Sequence, residues 1–421
     1  MLKSVLRQTI IDQQKILDFQ QQYVPRDIAL ESILQSEEIV VLSGIRRCGK
    51  STILTRLSKI VDSEFLYINF DDIRFSDFSQ ENFQHIYEII GELFGSDAPV
   101  ILLLDEIQNI PGWERWLNNL HTFKIKTIVT GSNASVLSSE LSTYLTGRHK
   151  TIRIHPLSFR EYLRHYSIAV ANPEFISSTQ KGEIIRYLRK YLEEGGFPAV
   201  IRSGDISLSE QYLTDIIYRD IVSRFGIREI KELKDLTVYL ISNAGRMISY
   251  KTLAEITGLK SVSTIKNYLD YLEQAFLLFR IAPLHYSLKE TSRASHKIYA
   301  GDLSFIQSAG FHLTEDLGQR IENLIFLELL RRYQEIYYYS GSGGCDFLVK
   351  RNQVVEEAIQ VSYSLNDQKT HDREVKGLVE AMKRFNVKKG LILTFEDEEL
   401  FDIPDIGISV IPIWKWLLTA P

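Results

Sequence analysis

Short apolar runs alternate with helical patterns in the first third of the chain. Five such runs stand at 39–43, 65–70, 100–104, 127–131 and 150–155. Apolar runs without polar alternation are typical of strands buried on both faces, as in a parallel sheet. The intervening stretches 50–61 and 81–95 have helical spacing and would cover that sheet. We therefore predict an α/β domain, preceded by a polar helical segment that Pro25 interrupts.

The pattern changes after Pro156. Apolar spacing is helical as far as residue 235, and residues 234–286 hold three short helices and a hairpin-like apolar stretch. From 315 onward a helix leads to three strands, a second helix and two further strands. We predict four parts, with bounds 1–156, 157–235, 236–300 and 301–421.

A glycine-rich turn follows the first predicted strand. Its sequence, GIRRCGKS at 44–51, fits G-x-x-x-x-G-K-[ST] at every fixed position, between a strand and a helix. Such a loop directs backbone N–H groups and a helix N-terminus at phosphate oxygens. Lys50 would bridge the β- and γ-phosphates, and Ser51 would ligate Mg²⁺. The predicted nucleotide contacts are Gly44, Ile45, Arg46, Arg47, Cys48, Gly49, Lys50, Ser51 and Thr52.

Two carboxylates end the third predicted strand. Asp105 and Glu106 follow ILLL and lie 55 residues after Lys50, a spacing typical of a Walker B strand. Asp105 would hold Mg²⁺. Glu106 would orient and polarise the attacking water, a role that hydrolysis requires and nucleotide binding alone does not.

Two further positions are candidates with open alternatives. Ser132 and Asn133 follow the fourth strand, where a polar side chain would contact the γ-phosphate or the water. Gly-Ser-Asn is also a natural turn composition. Arg148 precedes the fifth strand and is a candidate catalytic arginine, in its own chain or in a neighbouring copy, or else an ordinary surface residue.

Composition narrows the class of protein. The 421 residues are 44% apolar and 24% charged, with 49 Lys and Arg against 54 Asp and Glu, a net charge of −5. This balance argues against a basic coat over the whole surface. Two cysteines cannot form a disulfide framework, and they favour a reducing compartment. The chain shows neither a signal-peptide core nor 18 consecutive apolar residues, so we predict a cytoplasmic protein that does not engage the membrane.

Nine stretches of the sequence carry a resemblance to a known family. They are 43–52, 66–72, 102–117, 130–163, 195–200, 249–279, 297–305, 317–332 and 358–385. Over nearly the whole chain the sequence resembles the predicted AAA+ superfamily ATPases of bacteria and archaea that carry a C-terminal domain of unknown function. The resemblance implies a P-loop ATPase core over 1–156 that uses ATP and Mg²⁺ through the P-loop and the Asp105–Glu106 pair.

Residues 236–300 have the pattern of a winged helix, following a helical linker or lid over 157–235. Residues 246–297 contain eight Lys and Arg but four Asp and Glu, a local excess of positive charge. This charge suits contact with DNA phosphates, although winged helices also bind proteins. The predicted recognition helix offers Lys266 and Asn267 for base contacts, so we expect non-specific DNA or protein contact.

The C-terminal part, 301–421, resembles a restriction-endonuclease-like α/β fold. Glu322 and Asp346 stand in the expected order on a helix and a hairpin. Gln360 and Ser362 occupy the alternate strand positions where such a site needs a carboxylate and a lysine. We therefore predict a catalytically degenerate domain that binds a partner, with nuclease activity unlikely.

Together these patterns predict a Mg²⁺-dependent ATPase that couples its nucleotide state to DNA or protein binding. A slow nucleotide-gated switch and an ATP-coupled nuclease are the alternatives.

Overall fold

A computed structural model of the chain describes most of its residues. The described ranges are 1–19, 23–95, 98–133, 145, 147–259, 261–285, 295–309, 317–403 and 406–419. The chain forms two compact units. The first contains Met1–Pro156 and Gln274–Phe276, and the second contains Leu157–Glu273 and Leu277–Pro421.

A five-stranded parallel sheet forms the centre of the first unit. Its strands are β1 (Ile39–Ser43), β2 (Glu64–Asn69), β3 (Val100–Asp105), β4 (Thr127–Gly131) and β5 (His149–Arg153). The order across the sheet is β2-β3-β4-β1-β5, and every pair is parallel. The predicted α/β class with a parallel sheet is confirmed. Because β4 lies between β1 and β3, the segments that follow these three strands meet at one edge of the sheet.

Five α-helices accompany this sheet among the described residues. They are α1 (Lys3–Phe19), α2 (Leu30–Gln35), α3 (Lys50–Ile60), α4 (Phe83–Phe94) and α5 (Trp113–Thr122). Short 3-10 helices lie at Ile73–Phe75, Gln80–Asn82 and Ile107–Asn109. Apolar side chains of α1, α4 and α5 share one buried cluster with the sheet. Within it the rings of Phe83 and Trp116 stack at 4.4 Å, which fixes α4 against α5.

Two glutamines of α1 cover the exposed edge of β2. The Gln14 side chain accepts a hydrogen bond from Tyr67 N at 2.8 Å and donates to Phe65 O at 3.2 Å. Gln13 pairs in the same way with the backbone N and O of Asn69, at 2.9 and 3.0 Å. An unpaired strand edge is a template for unwanted pairing. The Gln-rich first helix therefore completes the sheet through its side chains.

Helices dominate the first part of the second unit. The described helices of this unit are α6 (Phe159–His165), α7 (Ser178–Glu194), α8 (Pro198–Ser203), α9 (Ser207–Asp215), α10 (Ser223–Phe225), α11 (Ile230–Ser242), α12 (Tyr250–Thr257), α13 (Val262–Gln274), α14 (Leu303–Ser308), α15 (Leu317–Arg332), α16 (Gln368–Phe385) and α17 (Ile413–Leu418). A π-helical segment, Ile216–Val222, connects α9 to α10. None of the described helices of either unit is both long and apolar enough to cross a membrane.

Two of the stretches that carry the family resemblance meet at Asp302. Its buried carboxylate accepts hydrogen bonds from Ser304 N at 2.9 Å, at the start of α14, and from Gly196 N at 2.9 Å. A Cβ atom on Gly195, whose φ is +71°, would lie 2.0 Å from the Asp302 carboxylate. The Gly-Gly pair therefore allows the chain after α7 to approach this carboxylate closely.

Three helices and a small antiparallel sheet form one region of the second unit. The sheet contains β6 (Met247–Ile248), β7 (Leu278–Ile281) and β8 (His296–Ala300) in the order β6-β8-β7. Ser249 caps α12 by accepting from Thr252 N, and Gly258 ends it with φ +72°. The apolar faces of α12 and α13 are buried at Leu253 and Leu269.

A six-stranded mixed sheet forms the C-terminal region. Its strands are β9 (Glu335–Tyr339), β10 (Cys345–Arg351), β11 (Val354–Val361), β12 (Lys389–Thr394), β13 (Glu399–Ile403) and β14 (Ile406–Pro412), in the order β13-β14-β12-β11-β10-β9. Strand β13 and helix α17 were not predicted from the sequence. Helix α16 packs on this sheet through Leu378 and Met382, which are buried with strand residues.

Candidate functional site

The loop between β1 and α3 has the backbone geometry of a phosphate cradle. Gly49 adopts φ +104° and precedes the first residue of α3, and no side chain caps that helix. A Cβ atom on Gly44 would lie 1.9 Å from the backbone oxygen of Ile154, so only glycine fits there. Helix α3 therefore begins with backbone N–H groups that no side chain caps, as anion binding at a helix N-terminus requires.

Lys50 folds back over this loop. Its side chain is buried, and its Nζ donates to the backbone oxygens of Gly44 at 2.9 Å and Ile45 at 3.1 Å. The lysine charge thus lies at the centre of the loop, where phosphate oxygens would compete with two carbonyl groups for it.

The other residues predicted to contact the nucleotide differ in their exposure to solvent. Ile45 and Cys48 are buried, whereas Arg47 is exposed and adopts φ +70°. Arg46, Gly49, Ser51 and Thr52 are half-buried. The chain thus presents backbone and hydroxyl groups rather than the apolar side chains on the open side of the loop.

Asp105 is a buried carboxylate held by three hydroxyl groups. Tyr67 Oη donates to Asp105 Oδ2 at 3.0 Å, and Thr130 Oγ1 donates to Oδ1. The hydroxyl of Ser51, in the first turn of α3, is the third hydrogen-bonding partner. The Walker B carboxylate and the P-loop serine are therefore in direct contact.

The same burial makes the ionised form of Asp105 unfavourable. Burial raises the pKa of the Asp105 carboxyl above its usual range, and the negative charge of Glu106 raises it further. The three hydroxyl hydrogen bonds lower the pKa but do not cancel the rise. An ionised carboxylate in this position is stabilised by any cation that comes within reach.

Glu106 is held in an uncommon backbone conformation. It adopts φ +52°, and its N–H donates to Thr130 Oγ1 at 2.9 Å. Its half-buried carboxylate accepts a hydrogen bond from Gln108 Nε2 at 2.5 Å. Gln108 also reaches Ser132 Oγ at 3.4 Å. Since a non-glycine residue with positive φ is held by its surroundings, these contacts aim the Glu106 side chain.

Gln108 is a site residue that the sequence analysis misses. It lies in the 3-10 helix Ile107–Asn109, two residues after the acid pair, and connects Glu106 to the end of β4. Its position directly after Asp105-Glu106 is the sequence signal that identifies it.

The structure brings the end of β4 to the P-loop. Ser43 and Gly131 are partners in the parallel register of β1 and β4, and Gly44 N donates to Gly131 O at 3.4 Å. Ser132 and Asn133 come next and are both buried. Both residues therefore lie beside the loop, although their role in nucleotide binding stays a prediction.

Arg148 lies at the other end of the sheet. The register pairs Ile39 with His149 and Ser43 with Arg153, so Arg148 precedes the amino end of β5. At about 3.3 Å per residue, that places its backbone roughly 16 Å from the loop edge. Its guanidinium donates to Asn118 Oδ1 at 2.6 Å. The strand direction carries Arg148 away from the loop of its own chain, which disfavours a role there. A role toward a neighbouring copy stays a prediction.

Arg26 contacts the loop and was not predicted. One of its terminal nitrogens donates to Cys48 O at 3.0 Å, and the other donates to His155 O at 2.6 Å. It thus ties the P-loop backbone to the segment that follows β5. No sequence motif marks this contact, because Arg26 comes from an irregular segment before α2.

The groups at this edge fit a nucleotide with Mg²⁺. Ser51 and Asp105 supply a hydroxyl and a carboxylate oxygen, the ligand types that Mg²⁺ prefers. Asp105 is buried and its pKa is raised, so a divalent cation would stabilise its ionised form. The glycine loop and Lys50 provide the positive side that phosphates need.

Comparison with known families divides the chain in a similar place. Residues 36–163 match a family described as an AAA domain, and residues 185–315 match a domain of unknown function, DUF8612. The AAA match includes the P-loop, the acid pair and the end of β4.

Two curated proteins are similar over most of the chain. An uncharacterized protein of Methanocaldococcus jannaschii is 32% identical over 442 residues, which cover 99% of this chain and 96% of that protein. An uncharacterized protein of Haemophilus influenzae is 28% identical, over 94% of this chain and 98% of that protein. Among solved structures, PCH-2 of C. elegans matches with a TM-score of 0.29 at 13% identity, over 48% of this chain and 60% of that chain. That likeness is too low to support a conclusion about this chain.

We predict that Asp105→Asn stabilises the nucleotide-free protein. The raised pKa means that ionised Asp105 destabilises the folded state once the pH exceeds the carboxyl pKa of the unfolded chain, about 3.9. Asparagine removes that charge and keeps an acceptor for Thr130. The thermal midpoint at pH 7.5 should rise by about 2–4 °C, equivalent to about 1 kcal/mol.

Asp71→Asn is the matched control, since Asp71 is an exposed carboxylate just after β2. It should leave the midpoint within about 1 °C of the wild type. A lower midpoint for Asp105→Asn would mean that the ionised carboxylate stabilises the apo fold.

Proposed function

We propose that the chain is a Mg²⁺-dependent ATPase. It belongs to the same family as the uncharacterized Methanocaldococcus jannaschii protein, and its residues 36–163 match an AAA domain. The observation that carries the proposal is the contact between Ser51 and buried Asp105. It joins the phosphate-binding loop to the acidic strand end, as a site for a metal-bound triphosphate requires.

The first part of the mechanism is phosphate binding. The N–H groups of the first turn of α3 would bind the phosphates, and Lys50 would exchange the carbonyl oxygens of Gly44 and Ile45 for phosphate oxygens. Ser51 and Asp105 would hold Mg²⁺, which would supply positive charge beside the phosphates. Arg26 keeps the loop backbone in place through Cys48 O.

The second part is the alignment of water. Glu106 would accept a proton from the attacking water or polarise it, at the same sheet edge as Asp105. Gln108 orients the Glu106 carboxylate, and its contact with Ser132 connects that orientation to β4. We assign contact with the γ-phosphate or the attacking water to the buried Ser132–Asn133 pair, on the basis of its position after β4 beside the loop.

We propose further that residues 236–300 are a winged helix that binds a partner. The support is the order of three helices and a three-stranded antiparallel sheet, with Ser249 and Gly258 at the two ends of α12. Exposed Lys251 and Lys266 lie on α12 and α13.

Duplex DNA is the partner that these lysines favour, through non-specific phosphate contact. The basic patch is smaller than the sequence count suggests, because Arg280 pairs with Asp270 at 2.6 Å and Lys297 pairs with Asp346 at 2.8 Å. Lys260, Lys289 and Arg293 lie outside the described residues. We also propose that the C-terminal region binds a protein partner and that the protein is cytoplasmic.

We predict that Glu106→Gln separates ATP binding from ATP hydrolysis. Glutamine keeps the size and an acceptor for Gln108 but loses the negative charge that polarises water. The steady-state rate of phosphate release should fall about 100-fold or more. ATP affinity, measured by calorimetry, should stay within about threefold of the wild type, whereas Lys50→Ala should lose it.

Glu64→Gln is the control, because Glu64 is exposed at the amino end of β2, away from the loop. It should hydrolyse ATP at the wild-type rate. A wild-type rate in Glu106→Gln would contradict the role given to Glu106.

We predict weak DNA binding that depends on Lys251, Lys260 and Lys266. Phosphate contacts release counterions, so the affinity of the wild type for a duplex should fall steeply as salt rises. Reversal of all three lysines to Glu should reduce that affinity by the same factor for duplexes of unrelated sequence. The slope of log affinity against log salt concentration should decrease by about three.

The matched control reverses Lys376, Lys383 and Lys388, which are exposed on or just after α16 and give the same change in net charge. It should bind DNA like the wild type. Equal loss in both variants, or no binding by the wild type at low salt, would favour a protein partner.

A further inference from the structure

A second cluster of buried charged groups lies in the C-terminal unit, apart from the phosphate-binding loop. Lys297 on β8 donates to Asp346 Oδ1 at 2.8 Å and to Glu322 Oε1 at 3.0 Å. Glu322 belongs to α15, and Asp346 belongs to β10. The three side chains are only 12 to 19% exposed. One ammonium group thus connects two carboxylates from different elements.

Further hydrogen bonds fix both carboxylates. Tyr299 Oη donates to Glu322 Oε1 at 2.8 Å, and Val361 N donates to Asp346 Oδ2 at 3.0 Å. The Asp346 backbone N–H donates to Gln360 Oε1 at 3.2 Å. The carboxylates therefore face Lys297 in a set orientation rather than as mobile surface groups.

The cluster contains the two acids that the sequence analysis assigned to a nuclease-like site. At Ser362, where that analysis looked for a lysine, the hydroxyl donates to Ser364 O at 3.1 Å instead. The cation of the cluster comes from Lys297, which lies on β8, outside the strand where a lysine was expected. Glu356, on the same strand as Gln360, lies away from the cluster and pairs with Arg351 at 3.6 Å.

We propose that the ammonium group of Lys297 takes the position of a divalent cation between Glu322 and Asp346, so that the wild-type cluster binds no divalent metal. Mg²⁺ and Mn²⁺ bind carboxylates that converge on one point and keep an octahedral shell of oxygens around it. Here that point is held by a nitrogen within hydrogen-bond distance of both acids. Within the described ranges, no three acidic, histidine or cysteine side chains form a metal-binding group.

Electrostatics favours a charged lysine in this position. Burial alone would lower the pKa of Lys297, but Asp346 and Glu322 raise it above its usual value. Burial, together with the charge of Asp346, raises the pKa of Glu322 to about 7, and Lys297 opposes that rise. Two buried acids without a cation would be unstable together, whereas one lysine compensates much of their charge.

The Glu322 side of the cluster borders a cavity. The cavity has a volume of about 290 Å³, and its lining includes the carboxylates of Glu322 and Glu374, the arginines Arg246 and Arg373, and Ser362. A hydrated metal ion can enter a space of this size. Ions can therefore approach the cluster from the Glu322 side.

The direct test is Mn²⁺ binding to the full-length, nucleotide-free protein, followed by the electron paramagnetic resonance signal of free Mn²⁺. Wild type and Asp346→Asn should bind equal amounts, because the cluster contributes no site. Lys297→Met, which keeps the chain length and removes the charge, should bind one additional Mn²⁺ per chain. That additional site should disappear in the double variant Lys297→Met, Asp346→Asn.

Lys350→Met is the matched control, since it removes a lysine that pairs with Glu335 at 3.2 Å on the neighbouring strands. It should gain no Mn²⁺ site. Thermal unfolding gives a second readout: Lys297→Met should melt at a lower temperature than the wild type, and Mn²⁺ should restore part of the difference. Mn²⁺ should not shift the midpoint of the wild type relative to Asp346→Asn.

Two results would overturn the proposal. One is a Mn²⁺ site in the wild type that Asp346→Asn removes, which would mean that metal displaces Lys297. The other is a folded Lys297→Met protein without an additional Mn²⁺ site. If Lys297→Met does not fold, the amount of Mn²⁺ bound by the wild type and by Asp346→Asn tests the proposal alone.

Discussion

The burial of Asp105 is the constraint on which the first unit depends. A carboxylate at this depth is stabilised only by donors that approach from several elements at once. Tyr67 on β2, Thr130 on β4 and Ser51 on α3 provide them. Those donors require the strand order β2-β3-β4-β1, and that order also brings the P-loop to the acid pair. The arrangement that satisfies Asp105 therefore assembles the proposed ATP site.

The two units differ in which groups compensate the charge of their buried carboxylates. Around Asp105 the hydrogen-bonding partners are neutral hydroxyl groups, and the pKa of the acid is raised, so the site favours an external cation. Around Glu322 and Asp346 the chain supplies its own cation, Lys297. The first arrangement suits a metal-bound substrate that comes and goes. The second suits a region that holds its shape without metal.

The sequence predicted the fold of the first unit well because the information is local. Apolar runs place the five strands within two residues of their observed bounds, and the P-loop motif fixes the turn between β1 and α3. Asp105 and Glu106 follow from their position at a strand end. Strand direction and order then bring them to the loop.

The errors and omissions concern contacts between distant segments. Arg148 precedes β5 in the sequence, and only the strand direction shows that it lies at the sheet edge opposite the loop. Arg26 reaches Cys48 across irregular chain, and Lys297 reaches Asp346 from another strand of the second unit. No periodicity records such contacts. Strand β13 was missed for a different reason: its five-residue sequence ELFDI contains two acidic residues and one β-branched residue.

The central claim is that the edge formed by the P-loop, Asp105 and Glu106 hydrolyses ATP with Mg²⁺. The most direct test is the amount of phosphate that the purified wild-type chain releases from ATP, counted per chain, with Mg²⁺ and with EDTA. The account predicts many phosphates per chain with Mg²⁺ and none with EDTA. Release that stops at one phosphate per chain, or that proceeds equally in EDTA, would contradict it.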